Sequence, residues 1–360
     1  MRFRMRLSLG RFASTLLLAV ALPAQPHAQE RCTSMQVYLS ISPNHREHVM
    51  AHIAPRLRQS QGVELVTEAI GSANMVERIT AQGANPRVSV AHFDYPIGLE
   101  ACRQGMCKPV DVARAPSVGN MFDWAMTKDA EGRPLVLSTN VQGVGIVYNE
   151  ERLRRANIPP PTSWADLNRR DLRGRVALVA PQSTMGTAML VMLARNAGGG
   201  EANIDPGFAR TRELQPNLHS IFTWSSELSN LLQLGEVWVA VTQSSLAPAM
   251  RLQGVPMRFV LPSEGTPTVN GGVSLVRNGP CDAAAHEYLN LYFTDDFQAL
   301  RMREGGITSP TSTSWAQLTE EQKAASAIQP EDFPRLINLD WAAINAARPG
   351  WIQRWLREIR

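Results

Sequence analysis

Beyond its first residues, this 360-residue chain has no apolar run long enough to cross a bilayer, which takes roughly 20 residues. One run comes near, Phe12 to Leu22, and it follows Arg2, Arg4, Arg6 and Arg11. Pro23 and small residues come after it. That order reads as a secretory signal peptide over residues 1–28, with cleavage expected after Ala28 and, less favourably, after Ala24. Cys32 follows Gln29-Glu30-Arg31, not the small apolar residues that precede a lipidated cysteine. A soluble exported protein is expected, periplasmic in location.

Charge of one sign is also lacking. The formal net charge is +4, but the leader carries four arginines, and without them Lys+Arg falls from 36 to 32 against 32 Asp+Glu. A near-neutral mature chain gives no reason to expect nucleic acid or an anionic membrane as partner. Catalytic signatures are missing too: there is no Gly-x-Ser-x-Gly, no His-Glu-x-x-His and no Walker loop. Asp295-Asp296 and Glu320-Glu321 stand where helices start, and acids there favour the helix dipole. The chain is not expected to be an enzyme. A secreted hydrolase or transferase is the rival class, and Ser183 with His92 is the pairing it would need.

Cysteines number four, in a spacing that is not a zinc pattern. An exported chain allows disulfides, and four cysteines allow three pairings. The short loop between Cys102 and Cys107 favours that pair, which leaves Cys32 for Cys281.

With 44% apolar residues the chain can build two modest cores. Its first third alternates strand and helix: Met35 to Ile41, a helix from Asn44 to Gln59, Val63 to Ala69, a helix opening at Gly71, then Val88 to His92. Such order predicts a parallel sheet flanked by helices. Strands are expected again at Leu135 to Thr139, Gly145 to Tyr148, Arg175 to Ala180, Ser220 to Trp224, Val237 to Val241, Met257 to Leu261 and Gly272 to Val276. The tail from Trp341 to Ile359 reads as a helix with an apolar stripe at Trp351, Trp355 and Ile359.

Several motifs come in a telling order. Gly143-x-Gly145-x-x-Tyr148-Asn149 is followed by Thr162-Ser163-Trp164-x-Asp166-Leu167, then Leu172-x-Gly174-Arg175-Val176-Ala177. Gly235 to Ala240 and Leu339-Asp340-Trp341 complete the set. This order resembles the periplasmic solute-binding proteins of ABC importers, in the branch that includes polyamine, iron(III), thiamine and phosphonate binders. The resemblance implies a two-lobed α/β fold, each lobe a mainly parallel sheet flanked by helices, with a ligand cleft between. Lobe one is expected from 32–139 with 270–330, and lobe two from 140–269. Residues 331–360 are then a helical segment docked on the lobes. A small-molecule solute and ABC permease subunits are the implied partners; a monomer without cofactor is expected.

In such sheets ligands sit beyond the carboxyl ends of strands. That rim carries Ser40, Ser42, Ser72, Ala73, His92 and Asp94 in the first lobe. In the second it carries Ser183, Thr184, Met185, Gly186, Thr187, Trp224, Gln243 and Ser244. Gly71-Ser72-Ala73 and Ser183 to Thr187 each open a helix, whose unpaired N–H groups attract anions. Capping alone explains either loop, but their matched placement favours a ligand gripped from both sides. Acids are scarce on this rim and no Tyr-Tyr pair occurs, which disfavours polyamines and iron(III). A small organic anion such as a phosphonate or carboxylate is the expected solute. His45, His48 and His52 recur at helical spacing; a solvated face explains them more simply than a metal site, and His45 stands nearest the rim.

Overall fold

The computed structural model describes residues 32–39, 43–223 and 225–359. The leader expected at 1–28, and Ser40, Ser42 and Trp224, lie outside the described residues. Strand β1 (Ser34–Leu39) places Val37 and Leu39 in one apolar cluster and Tyr38 in another. Period-two alternation therefore serves two cores, one on each face of the sheet. Strand β2 (Glu64–Ala69) pairs parallel with β1, and β3 (Val88–Asp94) pairs parallel on its other side. The short β4 (Cys107–Lys108) and β5 (Met126–Lys128) precede β6 (Pro134–Ser138).

The chain then builds a second sheet from β7 (Val144–Asn149), β8 (Val176–Val179), β9 (Leu218–Phe222), β10 (Val239–Gln243) and β11 (Met257–Val260). After β12 (Thr266–Pro267) it returns as β13 (Gly271–Val276), and β14 (Leu336–Ile337) pairs with β12. The first sheet runs β2-β1-β3-β13-β6-β5 with β4 beside β13, and the second runs β11-β7-β10-β8-β9. The two-lobed α/β expectation holds, but the sheets are mixed rather than mainly parallel. β13 comes back beside the outgoing chain, so it lies antiparallel to β3 and β6. β7 likewise lies antiparallel to β10 and β11.

The C-terminal helix Trp341–Glu358 starts on Asp340, whose carboxylate accepts from the N–H of Ala342 and Ala343, both at 3.1 Å. Trp341, Ile344, Trp351 and Trp355 join the second sheet's core, with Ile146, Leu178 and Phe208. The expected stripe is therefore core. The first helix is interrupted: α-helical Pro43–His48 and Ala54–Gln61 flank a π turn, Val49–Ile53. That turn shifts the phase of the face that follows.

Two strands cross side by side between the sheets. Asn140 Oδ1 accepts from Gly271 N at 2.7 Å, and Asn270 Oδ1 accepts from Gln142 N at 2.9 Å. Each strand thus supplies an amide side chain to the other's backbone. Gly145 permits the close packing just beyond, since a Cβ there would lie 2.6 Å from Val260 O.

Both expected disulfides form. Cys32–Cys281, with Cα atoms 5.3 Å apart, ties the start of β1 to the helix Asp282–Tyr292, and Cys102–Cys107 closes the turn before β4. Beside the first bridge, Asp282 pairs with Lys108 and Arg114. Burial pushes its carboxyl up, but the two cations outweigh this and hold it at about 2.

Replacing Cys32 and Cys281 together by Ser is expected to lower stability by up to about 5 kcal/mol in the entropic account, as the loop spans 249 residues; urea unfolding measures this. Asp282 has a depressed folded pKa, so its stabilisation is present above the unfolded value of about 3.9 and is lost as pH falls through about 2. The gap in urea midpoint between wild type and Asp282→Asn should therefore narrow between about pH 4 and about pH 2.

Candidate functional site: the cleft between the lobes

A cavity of about 620 Å³ lies where the rims of the two sheets face each other. The first lobe contributes Ser72 at the start of helix Ser72–Ala81, Asp94 at the end of β3, and Thr139 after β6. The second contributes Gln182, Ser183, Thr184 and Met185 ahead of and within the first turn of helix Thr184–Arg195, and Gln243 at the end of β10. The crossing strands floor it with Asn140, Gln142 and Asn270. Arg301, from helix Asp295–Gly305, and Arg348, from the C-terminal helix, also reach it.

The second-lobe loop is tightly built. Ser183 Oγ accepts from Gly186 N at 3.0 Å and lies 3.1 Å from Ala180 O, to which it donates. Thr187 Oγ1 donates to Pro181 O at 2.8 Å. Gly186 is packed flush on the preceding strand, where a Cβ would come 2.0 Å from Ala180 O. These bonds consume the loop's hydroxyls at Ser183 and Thr187. They leave the first-turn N–H groups of Thr184 and Met185, which have no intrahelical acceptor, for the cavity. In the first lobe Ser72 Oγ accepts from Asp94 N at 2.9 Å, joining helix start to strand end.

Charge in the cleft is unequal. Arg301 is 6% exposed, donates to Thr139 O at 2.6 Å and lies 4.9 Å from the centre of the Tyr292 ring. Among the described residues neither Arg301 nor Arg348 makes an ion pair. Asp94 is the one carboxylate on the described walls. It is exposed toward the cleft, with walls of both lobes around it. Burial accordingly pushes its carboxyl above the usual range, with Arg348 and Ser72 acting the other way. His45 accepts from or donates to Tyr292 OH at 2.9 Å. Burial, then Arg301, His92 and His48, hold it well below its ordinary pKa, so it is neutral at physiological pH.

A family model described as bacterial extracellular solute-binding protein matches residues 89–345. The chain belongs to that family. An uncharacterized protein of Haemophilus influenzae is 25% identical to this binding protein over 297 residues, 81% of each chain. A solved structure of an ABC transporter protein from Clostridium perfringens is similar at TM-score 0.75 and 18% identity, covering 91% of this chain and 100% of that one. PotD, a spermidine/putrescine ABC transporter substrate-binding protein from Streptococcus pneumoniae, gives 0.74 and 15%, covering 90% and 99%. AfuA from Actinobacillus pleuropneumoniae, a periplasmic binding protein with fructose-6-phosphate bound, gives 0.69 and 20%, covering 91% and 98%.

Of the rim residues read from the sequence of this solute-binding protein, Ser72, Asp94, Ser183, Thr184, Met185 and Gln243 line the cavity. Ala73, His92, Gly186, Thr187 and Ser244 do not. Ala73 is exposed one position past the cleft face of its helix. His92 is buried in the first lobe and bonds Tyr288 OH at 2.9 Å, so it is not brought to Ser183 as a base. Gly186 and Thr187 are consumed in packing the helix start. Ser244 is buried, and its Oγ accepts from Gly143 N at 3.3 Å while its neighbour Ser245 lines the cavity instead. The three histidines take different partners: His45 bonds Tyr292 and His48 lies 3.3 Å from Glu304, both lining the cavity, while exposed His52 meets the His48 ring edge-on. Sequence reasoning missed Arg301, Arg348, Asn140 and Asn270 as wall residues. The arginines lie on helices, where arginine reads as solvated surface.

Gly186→Ala would force the helix start off Ala180 and is expected to cost about 1–3 kcal/mol, as for other overpacked sites. Urea unfolding checks this, and an unchanged midpoint would show that the loop yields freely.

Proposed function

We propose that this solute-binding protein is the periplasmic receptor of an ABC importer for a small organic anion, such as a phosphonate or carboxylate. The observation that carries the reading is Arg301: a guanidinium almost wholly buried on the cleft wall, without a carboxylate partner among the described residues. A buried charge left unpaired is costly, and an anionic solute would offset that cost. The N–H groups at Thr184 and Met185 point the same way from the opposite lobe. A polyamine would meet a single carboxylate, Asp94, and two arginines, which disfavours that alternative. PotD is named for polyamines and AfuA was solved with a sugar phosphate bound, so the choice between them rests on this cleft's own residues.

In this reading, lobe one is 32–139 with 270–330, lobe two is 140–269, and 331–360 is carried with lobe two. The lobes swing about the crossings near Asn140 and Asn270. Solute favours closure because both rims contact it only then. The protein works as a monomer, exported by its leader, and hands the solute to permease subunits.

A thermal-shift screen of phosphonates, carboxylates and polyamines tests this, since a ligand at 100 times its Kd adds about 2.7 kcal/mol. Arg301→Met should weaken anion binding at least tenfold in calorimetry while leaving the protein folded. Ser183→Ala with Thr184→Ala should weaken it less, because the backbone donors remain. Binding of polyamines but no anion would overturn the reading.

A further inference from the structure

The two arginines of the cleft have different surroundings. Arg301 sits beneath the cavity, against the Tyr292 ring and Thr139 O. Arg348 comes from the C-terminal helix, whose tryptophans belong to the second lobe's core. Its Nη2 donates to Gln182 O at 2.8 Å, in the loop just before Ser183. One turn earlier, Asn345 Nδ2 reaches Pro96 O of the first lobe at 3.4 Å, two residues past Asp94. The helix thus spans the cleft mouth, rooted in one lobe and touching the other.

Arg348 Nε is buried and has no hydrogen-bond partner among the described residues. An arginine serving only to hold the Gln182 loop would gain nothing from a dry, unpaired Nε. Arg348 lines the cavity, so its guanidinium brings donor capacity that the Gln182 loop does not use up. The acid facing this part of the cleft is Asp94, whose charge acts on Arg348 across the lobes. Arg348 and Asp94 therefore share the cavity wall without bonding each other, and among the described residues Arg301 makes no ion pair.

Resting on the anion reading above, we infer that Arg348 and Asp94 form a second, specificity-determining subsite. It holds an uncharged hydroxyl- or amide-bearing part of the solute, while Arg301 takes the anionic group. A hydroxyl can accept from the Arg348 guanidinium and donate to the Asp94 carboxylate at once. A second anionic group would meet the Asp94 carboxylate, and an ammonium would meet the Arg348 guanidinium. The subsite therefore selects by rejecting both.

Two probe sets test this on the purified mature protein by calorimetry. One is hydroxypropylphosphonate, phosphonopropionate and aminopropylphosphonate; the other is hydroxybutyrate, succinate and gamma-aminobutyrate. Within a set only the far end changes, from hydroxyl to acid to ammonium. In at least one set the hydroxyl probe should bind at least tenfold more tightly than its acid and ammonium counterparts. Asp94→Asn should narrow the gap to the acid probe, and Arg348→Met the gap to the ammonium probe, each by at least fivefold. Far-ultraviolet circular dichroism and melting of both variants confirm that they are folded. If Arg301→Met abolishes binding while Asp94→Asn and Arg348→Met leave the ranking unchanged, the second subsite is wrong and the anion reading stands. If no probe of either set binds the wild type, the anion reading fails and takes the subsite with it.

Discussion

The exchange of amide side chains between two crossing strands underlies the whole arrangement. Asn140 and Asn270 each satisfy a backbone N–H on the neighbouring strand, so the crossing is hydrogen-bonded from the edge of the first sheet at Gly271 onward. A polar side chain in that place costs little when paired and would cost much when orphaned. It fixes the register of the outgoing and returning chain. That register sets which strand ends face each other across the cavity.

From that register follows the unequal charge of the cleft. The first sheet ends at Asp94 and Thr139, and the second ends at Gln243 and the loop before helix Thr184–Arg195. One carboxylate stands among amides and hydroxyls. Helices outside the sheets then add the two arginines, each inserted at a different end. Neutral hydrogen-bonding groups supply most of the wall, so a few charges decide what the wall attracts.

Much of the fold was legible because strand and helix alternate with clear periods. β7 is a nearly continuous apolar run, as strands buried on both faces are, while β3 carries Ser89 and His92 buried within it. The missed helices, Asp205–Leu214 and Leu246–Leu252, contain Pro206-Gly207 and Pro248, which read locally as breaks. Proline is tolerated there because it falls in the first turn, where no intrahelical N–H is lost. At the site, helix-start hydroxyls after strands were visible in the sequence, which is why Ser72, Ser183 and Thr184 were found. Arg301 and Arg348 were not, since burial of an arginine is decided by tertiary neighbours distant in sequence. The π turn at Val49–Ile53 was equally hidden: the His45, His48 and His52 spacing looks regular until an extra residue per turn rotates the helix.

The place of β13 has a consequence for biogenesis. It is a central strand of the first sheet, yet it is made only after the whole second sheet has been threaded. Cys281, the partner of Cys32, comes just after it. A polypeptide emerged as far as Val260 therefore owns every strand of the second sheet while the opening strands still wait for their neighbour. Neither lobe closes early: the first waits for β13 and Cys281, and the second for the tryptophan-bearing helix that ends the chain.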